Sequence, residues 1–364
     1  MSVAAMQTQS SAAPTAGAHV ATTGRARDPR IDATKAIAIL LVVFCHAKGV
    51  PHGMTLFAYS FHVPLFFLVS GWLASGYASR TTGLDRRSLS RHARSLLVPY
   101  ATFYLVGYVY WLLTRNIGEK AARWGSHPWW EPIVSMFTGI GPDLYVQPPL
   151  WFLPVMLVTV IGYALLRRWM SPMVIALASL LLAWLWMGWF PAQQLRLFFG
   201  LDVLPVSLCF YALGALLIYL SPRLPTSLPG SALATVLLAL PVAWLAQTNG
   251  RIDVNMLEFG RDHAAFVLSA VLGSLMVICA ARLVQGWAWV QWIGRNTLLI
   301  LCTHMLVFFV LSGVAAVSGI FGAWRPGLGW AVFVTVFALA ACVPLRWLLM
   351  RFAPWTLGAR PVAA

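Results

Sequence analysis

Apolar runs of about 20 residues alternate along this chain with short polar segments, and each run is long enough to cross about 30 Å of hydrocarbon as a helix. They fall at 34–51, 56–78, 95–114, 149–167, 172–190, 202–220, 229–247, 264–284, 296–316 and 327–349. The pattern predicts an all-α integral membrane protein, a polytopic bundle of about ten transmembrane helices. No 20–50-residue repeat and no long linker divides the runs. Residues 28–352 therefore read as one transmembrane domain between tails at 1–27 and 353–364. The first 24 residues are rich in Ala, Ser, Thr and Gly and hold no Lys, Arg, Asp or Glu, so they lack the basic start of a secretory signal and are expected to form a disordered cytoplasmic tail.

Composition supports this reading, with 60% hydrophobic residues, 10% charged residues and 18 tryptophans in 364 positions. The formal charge of +15 does not point to nucleic acid, because the basic residues sit in short clusters between apolar runs rather than on one continuous surface. Most of the 25 Lys and Arg fall on the N-terminal side of the membrane and most of the ten acids on the other. Both termini are therefore expected in the cytoplasm, with the chain crossing the cell (cytoplasmic or inner) membrane many times. Cys45, Cys209, Cys279, Cys302 and Cys342 all lie in apolar runs, without a CxxC pair or metal-ligand spacing, so neither a disulfide nor a metal site is expected.

Ionisable residues inside apolar runs narrow the chemistry, because an ionisable group at membrane depth marks function or a satisfied core position. Lys35 and His46 share the first run. Eleven residues of helix leave them roughly 20° apart on one face and about 16 Å apart along it. His62 opens HVPLFFLVSG in the second run, at a depth comparable with His46. Pro64 there removes a backbone donor, which is tolerated where protein or a water-lined cavity satisfies the freed carbonyl. Ser70 and Gly71 either pack closely against a neighbouring helix or serve the chemistry. Arg91 and Arg94, in RRSLSRHARSLLVPY, share a helical face and form either an anion grip or a positive-inside cluster. His304 lies about 12 Å into the ninth run. Asp202 and Asp262 stand at helix starts, where capping competes with a functional role. The outer connection 115–148 carries Trp124, Trp129 and Trp130, suited to an interfacial belt or to stacking on sugar rings.

Taken together, these motifs resemble the acyltransferase-3 family of membrane O-acyltransferases. The resemblance rests on Lys35 spaced from His46 by ten positions, HVPLFFLVSG at 62–71, the Arg91-x-x-Arg94 element followed by LLVPY, PLWFLPVML at 149–157, and IGRNTLLILCTH ending at His304. The family commonly has Arg where this chain has Lys35, which keeps the charge and loses the planar fork. The HVPLFF form resembles its sugar O-acetylase subgroup.

The resemblance implies transfer of an acyl group, acetyl above all, from cytoplasmic acyl-CoA to a hydroxyl of a sugar or cell-surface glycan. Acetyl-CoA or another acyl-CoA would be a co-substrate rather than a tightly bound cofactor. Lys35, Arg91 and Arg94 would hold its phosphates. His46 would act as general base or carry the acyl group, with His62 and Ser70 completing the catalytic set. No hydrolase-like domain is appended, so a separate periplasmic or extracellular partner would complete any further transfer. A transporter or exporter of a lipid-linked or small polar substrate, relaying protons through buried histidines, is the alternative from another class.

Overall fold

The computed structural model describes residues 28–77, 86–117, 119–318 and 326–358. The expected tail at 1–27 lies outside the described residues, as does 359–364 of the C-terminal one. The chain opens with α1 (Pro29–His46), capped by Asp28, whose side chain accepts from the Arg30 backbone N–H at 2.9 Å. The second apolar run divides into α2 (His52–Tyr59) and α3 (His62–Tyr77). Pro64 therefore sits in the first turn of α3 rather than inside one continuous helix. At the break the Phe61 N–H reaches back only to Ala58, and regular bonding resumes with Leu65 to Phe61.

Next come α4 (Arg86–Thr114), α5 (Glu119–Trp124), α6 (Glu131–Thr138), α7 (Phe152–Leu166), α8 (Pro172–Trp189), α9 (Leu204–Leu220) and α10 (Leu228–Asn249). A two-residue hairpin, β1 (Ile252–Asp253) with β2 (Glu258–Phe259), precedes α11 (His263–Val284), α12 (Ala288–Arg295), α13 (Thr297–Val317) and α14 (Leu328–Phe352). The described residues are all-α apart from this hairpin. Helix α4 starts well before the expected residue 95, because an apolar count stops where charge begins while backbone hydrogen bonding continues through Arg91 and Arg94. Helices α5, α6 and α12 escape an apolar-run search for a different reason, because each is at most eight residues long. Pro354–Leu357, in the expected C-terminal tail, form a 3₁₀ turn packed on α4.

Among the described residues, nine helical spans are long and apolar enough to cross a membrane, α2 and α3 counting as one. The further member of the expected ten is α1, which is set apart by Arg30, Asp32 and Lys35 in its first two turns. Outward faces such as Leu177, Leu181 and Leu185 of α8 and Leu233, Leu237, Leu240 and Trp244 of α10 are exposed, as a lipid-facing surface requires.

Inside, helices approach through small residues. A Cβ on Gly71 would fall 1.9 Å from the Tyr211 carbonyl oxygen, and one on Gly214 would fall 1.9 Å from that of Leu68. This locks α3 against α9. Helix α1 is the central strut: Ala33, Ala36, Ile39 and Val43 are buried, and it packs on α3, α11, α12, α13 and α14.

Candidate active site

Three helices deliver a histidine each to the far end of α1. His46 is the last residue of α1, His62 the first of α3, and His304 lies within α13. In each, Nδ1 meets the carbonyl oxygen one turn earlier: Val42 at 2.7 Å, Ala58 at 2.7 Å and Ile300 at 2.8 Å. A carbonyl only accepts, so each Nδ1 donates and each neutral ring carries its lone pair on Nε2. The backbone thus sets the tautomer that a base or nucleophile needs.

The rings of His46 and His304 lie 5.4 Å apart between centroids, tilted by 58°. The Tyr59 ring packs edge-on against His62, with centroids 4.7 Å apart. His62 and His304 are sealed from solvent, whereas His46 is half-buried. The His304 Nε2 has no protein partner among the described residues.

The Lys35 end of α1 is built around a buried acid. Asp32, 2% exposed, pairs with Lys35 Nζ at 2.8 Å and lies 3.6 Å from Arg295 Nε on α12. A carboxylate at that depth is tolerated because it is paired. A Cβ on Gly294 would come within 1.9 Å of the Asp32 carbonyl oxygen, so the glycine lets α12 approach closely enough to bring Arg295 in. Beside the cluster, Arg30 lies over the Trp72 ring at 5.3 Å. Sequence reasoning missed Asp32 and Arg295. The i,i+3 spacing of Asp32 and Lys35 was a usable signal for the first. Nothing local pointed to Arg295.

The other predicted residues are dispersed. Arg91 and Arg94 are exposed on the N-terminal extension of α4. Ser70 donates its hydroxyl hydrogen to the Phe66 carbonyl at 2.8 Å, within its own helix, and Gly71 beside it serves the α3–α9 contact. Asp202 is 1% exposed and paired with Arg196, while Trp186 donates to its backbone carbonyl at 2.8 Å. Asp262 caps α11, accepting from the Ala264 N–H at 2.8 Å. A separate apolar cavity of about 330 Å³, between α1, α2 and α10, is lined by Cys45, Phe57 and Gln247 among others but by none of the three histidines.

A family model described as an acyltransferase domain matches residues 28–347. The chain belongs to the acyltransferase-3 family. No curated protein and no solved structure matches it. The matched region contains Lys35, His46, His62, Arg91, Arg94 and His304. Family membership and the helix bundle make the protein a membrane acyltransferase that moves acyl groups to a polar acceptor, with acyl-CoA as the co-substrate that the family implies.

Proposed function

We propose that this acyltransferase-3 protein is an O-acyltransferase that takes an acyl group, acetyl above all, from cytoplasmic acyl-CoA to a hydroxyl of a sugar or cell-surface glycan. The observation that carries the reading is the His46 imidazole, half-buried, held through Nδ1 by the Val42 carbonyl, with no hydrogen bond at Nε2 among the described residues, and set 5.4 Å from His304. The cationic cluster about 16 Å away on the same helix supports it, since that span suits an extended thioester arm anchored by its phosphates.

On this reading Lys35 and Arg295, only partly neutralised by Asp32, hold the CoA phosphates together with Arg91 and Arg94. Nε2 of His46 takes the proton of the acceptor hydroxyl as its oxygen attacks the thioester carbonyl. The C–O bond forms, the C–S bond breaks, and the proton passes to the departing thiolate. In the second form of the same chemistry Nε2 attacks the carbonyl itself and the C–S bond breaks to release the CoA thiolate; the acceptor oxygen then forms the C–O bond as the C–N bond breaks, and its proton passes to the thiolate, leaving a neutral imidazole. His62 and His304 line the reaction centre in this scheme, and Ser70, whose hydroxyl hydrogen is committed to the Phe66 carbonyl, takes no part in it.

Two measurements test it. Lys35→Ala raises the KM for acetyl-CoA by about tenfold, the loss of roughly 1.4 kcal/mol of ionic contact, and leaves the acceptor KM unchanged. Equal effects on both constants would remove Lys35 from the CoA site. Mass spectra of cell-surface glycans with and without the gene differ by one acetyl unit. Identical spectra would refute the glycan acceptor.

A further inference from the structure

Among the described residues, five of the buried polar atoms that have no hydrogen-bond partner lie on adjoining elements: Tyr104 Oη, Trp111 Nε1, Tyr145 Oη, Gln147 Oε1 and His304 Nε2. Buried polar groups are nearly always satisfied, so a run of five on adjoining elements calls for a ligand or for ordered water. Tyr104 and Trp111 come from one face of α4, seven residues apart. Between them is Gly107, where a Cβ would strike Gln147 Cγ at 2.5 Å, so the glycine lets the 144–147 segment lie directly on the helix.

Tyr145 packs edge-on to Trp111, with ring centroids 5.9 Å apart, and is stacked on Trp124 at 4.4 Å. Gln147 reaches the other way, its Nε2 donating to the Cys302 carbonyl on α13 at 3.2 Å. Two residues further along α13 is His304, against His46. The line therefore runs from the segment carrying Trp124, past α4, to the reacting imidazole.

Its chemistry is mixed. Trp111 only donates, Gln147 Oε1 only accepts, the His304 Nε2 accepts in the tautomer set by Ile300, and the two phenols do either. A phosphate or carboxylate would satisfy the donors and leave the acceptors facing negative charge. Hydroxyl groups satisfy both kinds. Burial raises the Tyr145 phenol above its ordinary range, with Glu131 adding to the effect and Arg115 opposing it, so it stays an O–H group at neutral pH.

From this geometry we infer that Tyr104, Trp111, Tyr145 and Gln147 form the acceptor subsite, and that it takes an uncharged pyranose whose hydroxyls complete these bonds and present one to His46. The inference rests on the reading of His46 as the transfer centre and adds the residues that select the acceptor.

The full chain in lipid nanodiscs tests it without requiring turnover. Methyl glucoside, methyl galactoside and methyl fucoside are presented at millimolar concentration, and binding is read by saturation-transfer NMR of the ring protons. At least one binds, and Tyr104→Phe and Tyr145→Phe each weaken that sugar about tenfold. Neither variant loses thermal stability, because neither hydroxyl has a hydrogen-bond partner among the described residues to lose. In the transfer assay the same variants raise the sugar KM and leave the acetyl-CoA KM unchanged. Binding by none of the three sugars, or unchanged affinity in both variants, assigns the line to internal water and overturns the subsite. Sugar binding that depends on both phenols without any acyl transfer keeps the subsite and defeats the transferase reading. Transfer to a glycan that ignores both variants does the reverse.

Discussion

His46→Ala abolishes transfer from acetyl-CoA in isolated membranes, a loss of about 10²–10⁴-fold, while the protein stays inserted at normal abundance. The size follows from the position of the ring. His46 ends α1, so its removal leaves the Val42 carbonyl at a helix terminus, where a free carbonyl is ordinary. It is half-buried rather than sealed, so truncation opens little new cavity. Stability therefore changes little, and the catalytic loss reads the imidazole itself. Membranes carrying equal amounts of each protein, incubated with labelled acetyl-CoA, provide the comparison. Full activity in the variant would remove His46 from the reaction.

Asp32→Ala has the largest expected effect on stability, about 3 kcal/mol, and lowers the temperature at which the detergent-solubilised protein loses its monodisperse state. The carboxylate is 2% exposed and stands between Lys35 and Arg295, so its loss leaves Lys35, whose side chain is 19% exposed, beside a second cation. Breaking one side of a buried pair costs more than the pair contributes, because the remaining charge stays desolvated. Asp32→Asn combined with Lys35→Met restores most of the stability by removing both charges, yet keeps the weakened acetyl-CoA affinity of Lys35→Ala. Thermal scans and acetyl-CoA KM measured on the single and double variants separate the two roles. If the single variant melts with the parent, the cluster does not brace α1 against α12.

Much of the bundle was legible because membrane helices satisfy their backbone bonds locally and show their length directly as apolar runs. The runs at 172–190, 229–247 and 264–284 match α8, α10 and α11 to within two residues at either end. The break between α2 and α3 was misread because Pro64 is compatible with either a kink or a first turn, and only neighbouring helices choose between them. The exposed part of α4 and the short α12 were invisible to hydropathy, one by charge and the other by length. On the site, Lys35 and His46 stood out as costly residues in an apolar run, and His304 did so as well. That His304 meets His46, while Ser70, Asp202 and Asp262 are tied into other contacts, is written in no local pattern.

The sequence by itself determined what the membrane demands of any chain: where helices run, that α1 carries a cation and an imidazole on one face, and which family motifs it bears. Those properties depend on residues close in sequence, through backbone hydrogen bonding and the transfer of side chains from water to hydrocarbon. Only the tertiary structure decided the partners, namely Asp32 between Lys35 and Arg295, His304 against His46, and Gln147 reaching from the α4 face to α13. Pairing of buried polar groups is a contest among all elements that pack together, and Gly107 and Gly294 show how a missing side chain in one element admits the polar residue of another.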